Sequence, residues 1–121
     1  MREPIRDKGR LEHILTAIDD ATEFARNISL DDLMKDKIHC YAIAHCIQII
    51  GEATYMLTKE FKAAHPEVEW RLMEGMRHIL VHDYYQVKEK ELWNVVQKDL
   101  PALRPQIEAY LSSMEYGAML L

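Results

Sequence analysis

The chain has 121 residues, 49% of them hydrophobic and 29% charged, with a formal net charge of −5 at neutral pH. That length suits a single domain spanning residues 1–121 around one core, and the apolar content excludes a disordered chain. The acidic balance excludes a protein that grips nucleic acid over its whole surface, so if RNA is the substrate the positive field has to be local.

Four glycines and four prolines are few for a turn-rich β protein. An all-α fold is expected, an up-down helical bundle of about four to five helices. Cys40 and Cys46 lie six positions apart in one helical pattern, on different sides of the cylinder and out of bridging geometry, as in a reduced, cytoplasmic protein. Met1-Arg2-Glu3-Pro4 runs straight into a charged helix without a signal segment, and no apolar run approaches transmembrane length, so no membrane association is expected.

Leu11, Ile14, Leu15, Ile18, Ala21, Ala25 and Ile28 recur at three- and four-residue steps, which predicts a first helix from Ile5 to Asn27 with one buried stripe. Ser29 followed by Asp32 fits a capping box and starts the next helix near Leu30 after a short, antiparallel connection. Ile38 to Leu57 is apolar over more than one stripe: Ala42, Ile43, Cys46, Ile47, Ile49, Ile50, Ala53 and Met56 cannot all face one way. Such a helix needs two partners. One is the chain's own core and the other is a second copy, so a homodimer is expected.

Lys59 to His65 reads as polar, and Pro66 suits the first turn of a helix carrying Leu72, Met73, Met76, Ile79 and Leu80 inward. A break over Asp83 to Val87 precedes a helix with Leu92, Trp93, Val95 and Val96. Pro101 then opens a last one with Leu103, Ile107, Tyr110 and Leu111.

The window Gly75 to Tyr85 crowds Arg77, His78, His82, Asp83, Tyr84 and Tyr85 round an apolar run. Arg77, four residues, His82, one residue, Tyr84 resembles the signature of the HEPN superfamily, specifically its HepT-like toxins. The resemblance extends through Ile5-Arg6-Asp7, Ile49-Ile50-Gly51-Glu52-Ala53, His65-Pro66, Trp93 and Asp99-Leu100-Pro101, nearly the whole chain. It implies a metal-independent RNA endonuclease without cofactors, with Arg77 and His82 catalytic in a cleft between two protomers. It also implies a nucleotidyltransferase antitoxin, in a homodimer or a higher hetero-oligomer, that adenylylates Tyr84. This branch often carries asparagine where His78 stands, which leaves His78 open between catalysis, phosphate donation and neither.

Metal-free RNA cleavage needs a base for the 2′-hydroxyl, an acid for the leaving 5′-oxygen and a cation on the phosphorane. Histidine, with a pKa of roughly 6.5, suits the first two roles and the arginine fork suits the third. Residues five apart on a helix point about 140° away from each other, so Arg77 and His82 do not share a face automatically. One motif supplies one obvious histidine, whereas two motifs across a dimer supply both base and acid. Tyr84 can donate a hydrogen bond or stack on a base, and adenylylation there would add bulk and negative charge. Asp83 stands beside it.

Other readings stay open at this point. A non-catalytic helical module that a partner binds or modifies needs only the same surface. His78 and His82, four apart, have metal-ligand spacing, but only Asp83 is an evident third ligand and Ile79 stands where a metallopeptidase needs glutamate. His45 reads as a core or interface histidine, and His13, His39 and His65 as surface residues. Glu52 orders Arg77, holds the dimer or faces solvent. Trp70 and Trp93 read as core anchors, and Tyr41 and Tyr110 as less accessible than Tyr84.

Overall fold

The computed structural model describes residues 4–78 and 88–120, with side chains over 7–78 and 88–114. Every regular element among them is helical. In order these are α1 (Pro4–Ala25), α2 (Leu30–Lys35), α3 (Lys37–Met56), α4 (Lys59–Ala64), α5 (Trp70–Gly75), a 3₁₀ turn (Met76–His78), α6 (Glu89–Asn94), a π turn (Val95–Asp99) and α7 (Leu100–Leu120).

The stripe read in α1 is the buried one: Leu11, Ile14, Ile18, Ala21 and Ala25 all lie in the core. The helix stops where Asn27 adopts a φ of 65°, a left-handed residue that asparagine tolerates better than most. The predicted capping box forms, with Ser29 N–H donating to Asp32 at 2.9 Å and Asp32 N–H donating to the Ser29 hydroxyl at 3.2 Å. Asp36 then closes α2 and opens α3, its carboxylate accepting from the N–H groups of Ile38 and His39. These hydrogen bonds, led by the His39 N–H, hold the Asp36 carboxyl below the ordinary carboxylate range.

α3 is the central element and packs on α1, α2, α5, the 3₁₀ turn and α6. Cys40, Ile43, Ala44, Cys46, Ile47, Ile50 and Ala53 face inward, joined from other elements by Leu33, Met73, Met76, Leu92, Val96, Leu100, Leu103 and Ile107. Both cysteines are free and buried. Burial, with the Asp20 charge adding to it, pushes the Cys46 thiol up to about 11, so it stays protonated at neutral pH. Asp7 ties the start of α1 to the α3–α4 corner, its carboxylate accepting from the Thr58 N–H at 2.8 Å and the Thr58 hydroxyl at 2.7 Å.

Three sequence expectations need correction. The stretch from Lys59 holds a helix, α4, opened by the Thr58 hydroxyl accepting from Phe61 N–H at 3.1 Å. Pro66 sits in a turn, and α5 begins only at Trp70, which anchors the corner by donating its indole N–H to the His65 carbonyl at 2.8 Å. Leu72, expected inward, is 55% exposed because α5 is short and turns only Trp70 and Met73 to the core. The last helix starts where it was expected, α7 beginning at Leu100, one residue before Pro101. The π turn bridges α6 to α7, with Leu100 N–H donating to Val95 C=O, and this wider turn ahead of the proline lets the chain stay helical through it.

Candidate active site

Met76 packs into the core and fixes the 3₁₀ turn against α3, which leaves Arg77 half-buried and His78 exposed beside it. The turn approaches α3 at Gly51, where a Cβ would stand 2.2 Å from the Arg77 nitrogen, 2.8 Å from its Cα and 2.9 Å from the Met76 carbonyl carbon. Only a residue without a side chain admits that approach. A lone glycine inside an apolar helical run is the sequence signal for it, since glycine there costs about 1 kcal/mol against alanine and needs a packing reason.

One turn further along α3, Tyr55 meets the Arg77 side chain. The guanidinium carbon stands 3.7 Å from the centroid of the Tyr55 ring. Arg77 Nε donates to His78 Nε2 at 3.3 Å, which requires the His78 tautomer that carries its proton on Nδ1. Among the described residues no carboxylate pairs with Arg77. Glu52 is exposed, and the α3 side chain that meets the guanidinium is Tyr55, three positions on. Sequence reading did not single out Tyr55, whose role depends on where α5 delivers the arginine.

His82, Asp83, Tyr84 and Tyr85 lie outside the described residues. The spatial relation of Arg77 to His82 and Tyr84 therefore stays an expectation, as does the metal reading of His78 with His82 and Asp83. Among the described residues no three histidine, cysteine or carboxylate side chains cluster to hold a metal ion. A groove between α5 and α7, lined by Glu67, Glu69, Leu72, Met73, Asp99 and Leu103, contains none of the predicted site residues.

Beside this site α3 carries an uncovered face. Ile38 is 81% exposed, Tyr41 50% and Tyr55 44%, and Ile49 is exposed between them, with Met34 of α2 at one end. With exposed His45 and Glu52 between them, Ile38, Tyr41, Ile49 and Tyr55 follow three- and four-residue steps along one stripe of α3. Tyr41, whose apolar neighbourhood in sequence suggested low accessibility, lies on a face that none of the other described residues covers. His45 lies on the same outer face rather than in the core.

A family model described as ribonuclease HepT-like matches residues 14–110, a span that contains Arg77, His78, His82 and Tyr84. The chain belongs to this family. A protein of Thermococcus cleftensis named a probable ribonuclease HepT is 40% identical over 101 residues, 84% of this chain and 92% of the relative. A protein of Caldanaerobacter subterraneus, provisionally named an RNase, is 37% identical over the same share of this chain and 90% of its own length. One from Methanocaldococcus jannaschii, also provisionally named an RNase, is 33% identical over 84% of this chain and 93% of its own. No solved structure matches. Among the described residues of this HepT-like chain, no helix is long and apolar enough to cross a membrane.

Proposed function

We propose that the chain is a metal-independent endoribonuclease, the toxin of a toxin–antitoxin pair, with Arg77 and His82 as its catalytic residues. One observation carries the reading: in a chain of the ribonuclease HepT-like family, Arg77 is held at a fixed orientation on the surface next to the uncovered stripe of α3. Two copies paired through that stripe form a homodimer and bring two motifs to one cleft. RNA is the substrate and no cofactor takes part.

The chemistry follows from the side chains. The neutral imidazole of one His82 takes the 2′-hydroxyl proton, and the freed oxygen attacks the adjacent phosphorus. The bond from phosphorus to the 5′-oxygen breaks as a protonated His82 from the second copy donates to that oxygen. Arg77 meets the charge on the equatorial oxygens. The products are a 2′,3′-cyclic phosphate and a 5′-hydroxyl. A nucleotidyltransferase antitoxin silences the site by transferring AMP from ATP to the Tyr84 hydroxyl, releasing pyrophosphate and placing a phosphodiester where an RNA phosphate would sit. His78 and Asp83 support the motif.

The test is cleavage of RNA with analysis of the new ends. Arg77→Ala and His82→Ala should each lower the rate by about 100-fold or more, with the helical circular dichroism intact and EDTA without effect. Loss in EDTA restored by zinc would favour the metal reading instead. Co-expression with the antitoxin should add AMP mass to the peptide containing Tyr84. Tyr84→Phe should prevent the addition and Tyr85→Phe should not.

A further inference from the structure

We propose that Tyr55 is the positioning residue for Arg77. The inference rests on the reading of Arg77 as the phosphate-binding cation. An arginine side chain has several rotatable bonds, and a guanidinium that must meet a developing charge is worth most when its orientation is set beforehand. Three contacts set it here. The backbone at Arg77 is seated against Gly51, which fixes where the side chain starts. The Tyr55 ring lies under the guanidinium at 3.7 Å, well inside the range of about 6 Å for such contacts, and fixes its plane. The bond from Nε to His78 Nε2, at 3.3 Å, fixes its rotation within that plane.

The division of labour is geometric. A ring holds a guanidinium by its face, while hydrogen bonds leave from its edge, so stacking on Tyr55 uses no donor. With Nε turned to His78, the remaining edge presents Nη1 and Nη2, the pair whose spacing matches two oxygens of one phosphate. Gly51 and Tyr55 are four apart and share one face of α3. One helix therefore carries both the backbone seat and the side-chain seat.

The experiment uses the full chain, three single variants and one double: Tyr55→Phe keeps the ring, Tyr55→Leu keeps apolar bulk without it, and Arg77→Ala tests the underlying reading. The Arg77 side-chain proton resonances should be displaced upfield by the Tyr55 ring. The displacement should persist in Tyr55→Phe and vanish in Tyr55→Leu. Cleavage should follow it: Tyr55→Phe within about twofold of the parent, Tyr55→Leu down about tenfold or more in kcat with little change in KM. Adding Tyr55→Leu to Arg77→Ala should cost nothing further.

Wild-type kcat in Tyr55→Leu beside an inactive Arg77→Ala would overturn the positioning role and leave Arg77 as the cation. So would a loss in Tyr55→Phe as large as in Tyr55→Leu, because the ring would then not be what matters. Dissociation of the Tyr55→Leu dimer with the Arg77 resonances still displaced would make Tyr55 an interface residue instead. Full activity in Arg77→Ala would sink the catalytic reading itself, and this proposal with it.

Discussion

Gly51 of α3 lies directly against the backbone of Arg77, so close that a Cβ at position 51 would come within 2.2 Å of the Arg77 nitrogen. Backbone atoms cannot swing aside as a flexible side-chain end can, so any larger residue has to push the 3₁₀ turn off α3. Gly51→Ala gains about 1 kcal/mol of helix propensity but overpacks the junction, at the upper end of a cost of about 1–3 kcal/mol. The expected result is a net loss of stability in urea denaturation and RNA cleavage lower by about tenfold or more, since Arg77 moves with the turn. Among the described residues, nothing lies within 4 Å of a Cβ built at Gly9 or Gly75. Gly9→Ala, inside α1, should raise stability by about 0.5–1 kcal/mol without touching activity.

Gly51 also marks how far sequence reading reaches. The α1 stripe, the Ser29–Asp32 box and the excess apolar surface of α3 were legible because each is written in local spacing. α4 was not, because Phe61 is its one large apolar residue and its start depends on the Thr58 hydroxyl. Tyr41, half exposed in spite of its apolar surroundings in sequence, shows a different limit: apolar periodicity reports which residues seek cover, not what supplies it. Arg77 was legible as a motif residue. Its seat on Gly51 and Tyr55 was not, because that contact joins residues more than twenty positions apart and exists only once α5 has packed.

The uncovered face of α3 offers a clean test of assembly. Ile38 is 81% exposed and lies in the first turn of α3, where a carboxylate is favourable to a helix. Ile38→Glu should therefore leave the fold of the isolated chain as stable as before. If α3 pairs with a second copy, the same change, or Tyr41→Glu, buries a charge in the interface and drives the protein to monomer. Light scattering at micromolar concentration should show a dimer for the parent and a monomer for both variants, with cleavage lost alongside. A parent that is monomeric there would remove the shared-cleft mechanism.

Asp7 should be a stability residue rather than a site residue. Asp7 is 4% exposed and, among the described residues, its carboxylate takes two hydrogen bonds from Thr58, which in turn caps α4. Asp7→Ala strands two donors in the interior and should cost about 2–3 kcal/mol, read as a lower urea midpoint. Cleavage per folded molecule should be unchanged, because nothing in the Arg77 seat moves. An Asp7→Ala chain as stable as the parent would show that water replaces the carboxylate.

The last prediction concerns Tyr110, whose hydroxyl donates to the Glu67 carboxylate while its ring lies tilted against His65 at 4.1 Å and edge-to-face with Phe61 at 5.6 Å, joining α7 to the α4–α5 corner. Burial first, and the bond to Glu67 second, push the Tyr110 phenol well above its ordinary value, while the same bond leads in holding the Glu67 carboxyl below its own. The two shifts act at opposite ends of the pH scale. A raised phenol favours the protonated form in the fold, so its contribution is complete below the unfolded value of about 10 and falls away as pH rises beyond it. A lowered carboxyl contributes above its unfolded value of about 4.3 and loses that contribution as pH falls through the folded one. Tyr110→Phe keeps the ring contacts and removes the bond. Its urea midpoint should sit below the parent's between pH 6 and 9, by a modest amount because the pair is largely solvated, and the two curves should converge both above about pH 10 and below about pH 4. A difference that stayed constant across the whole range would assign the stabilisation to ring packing and not to the hydrogen bond.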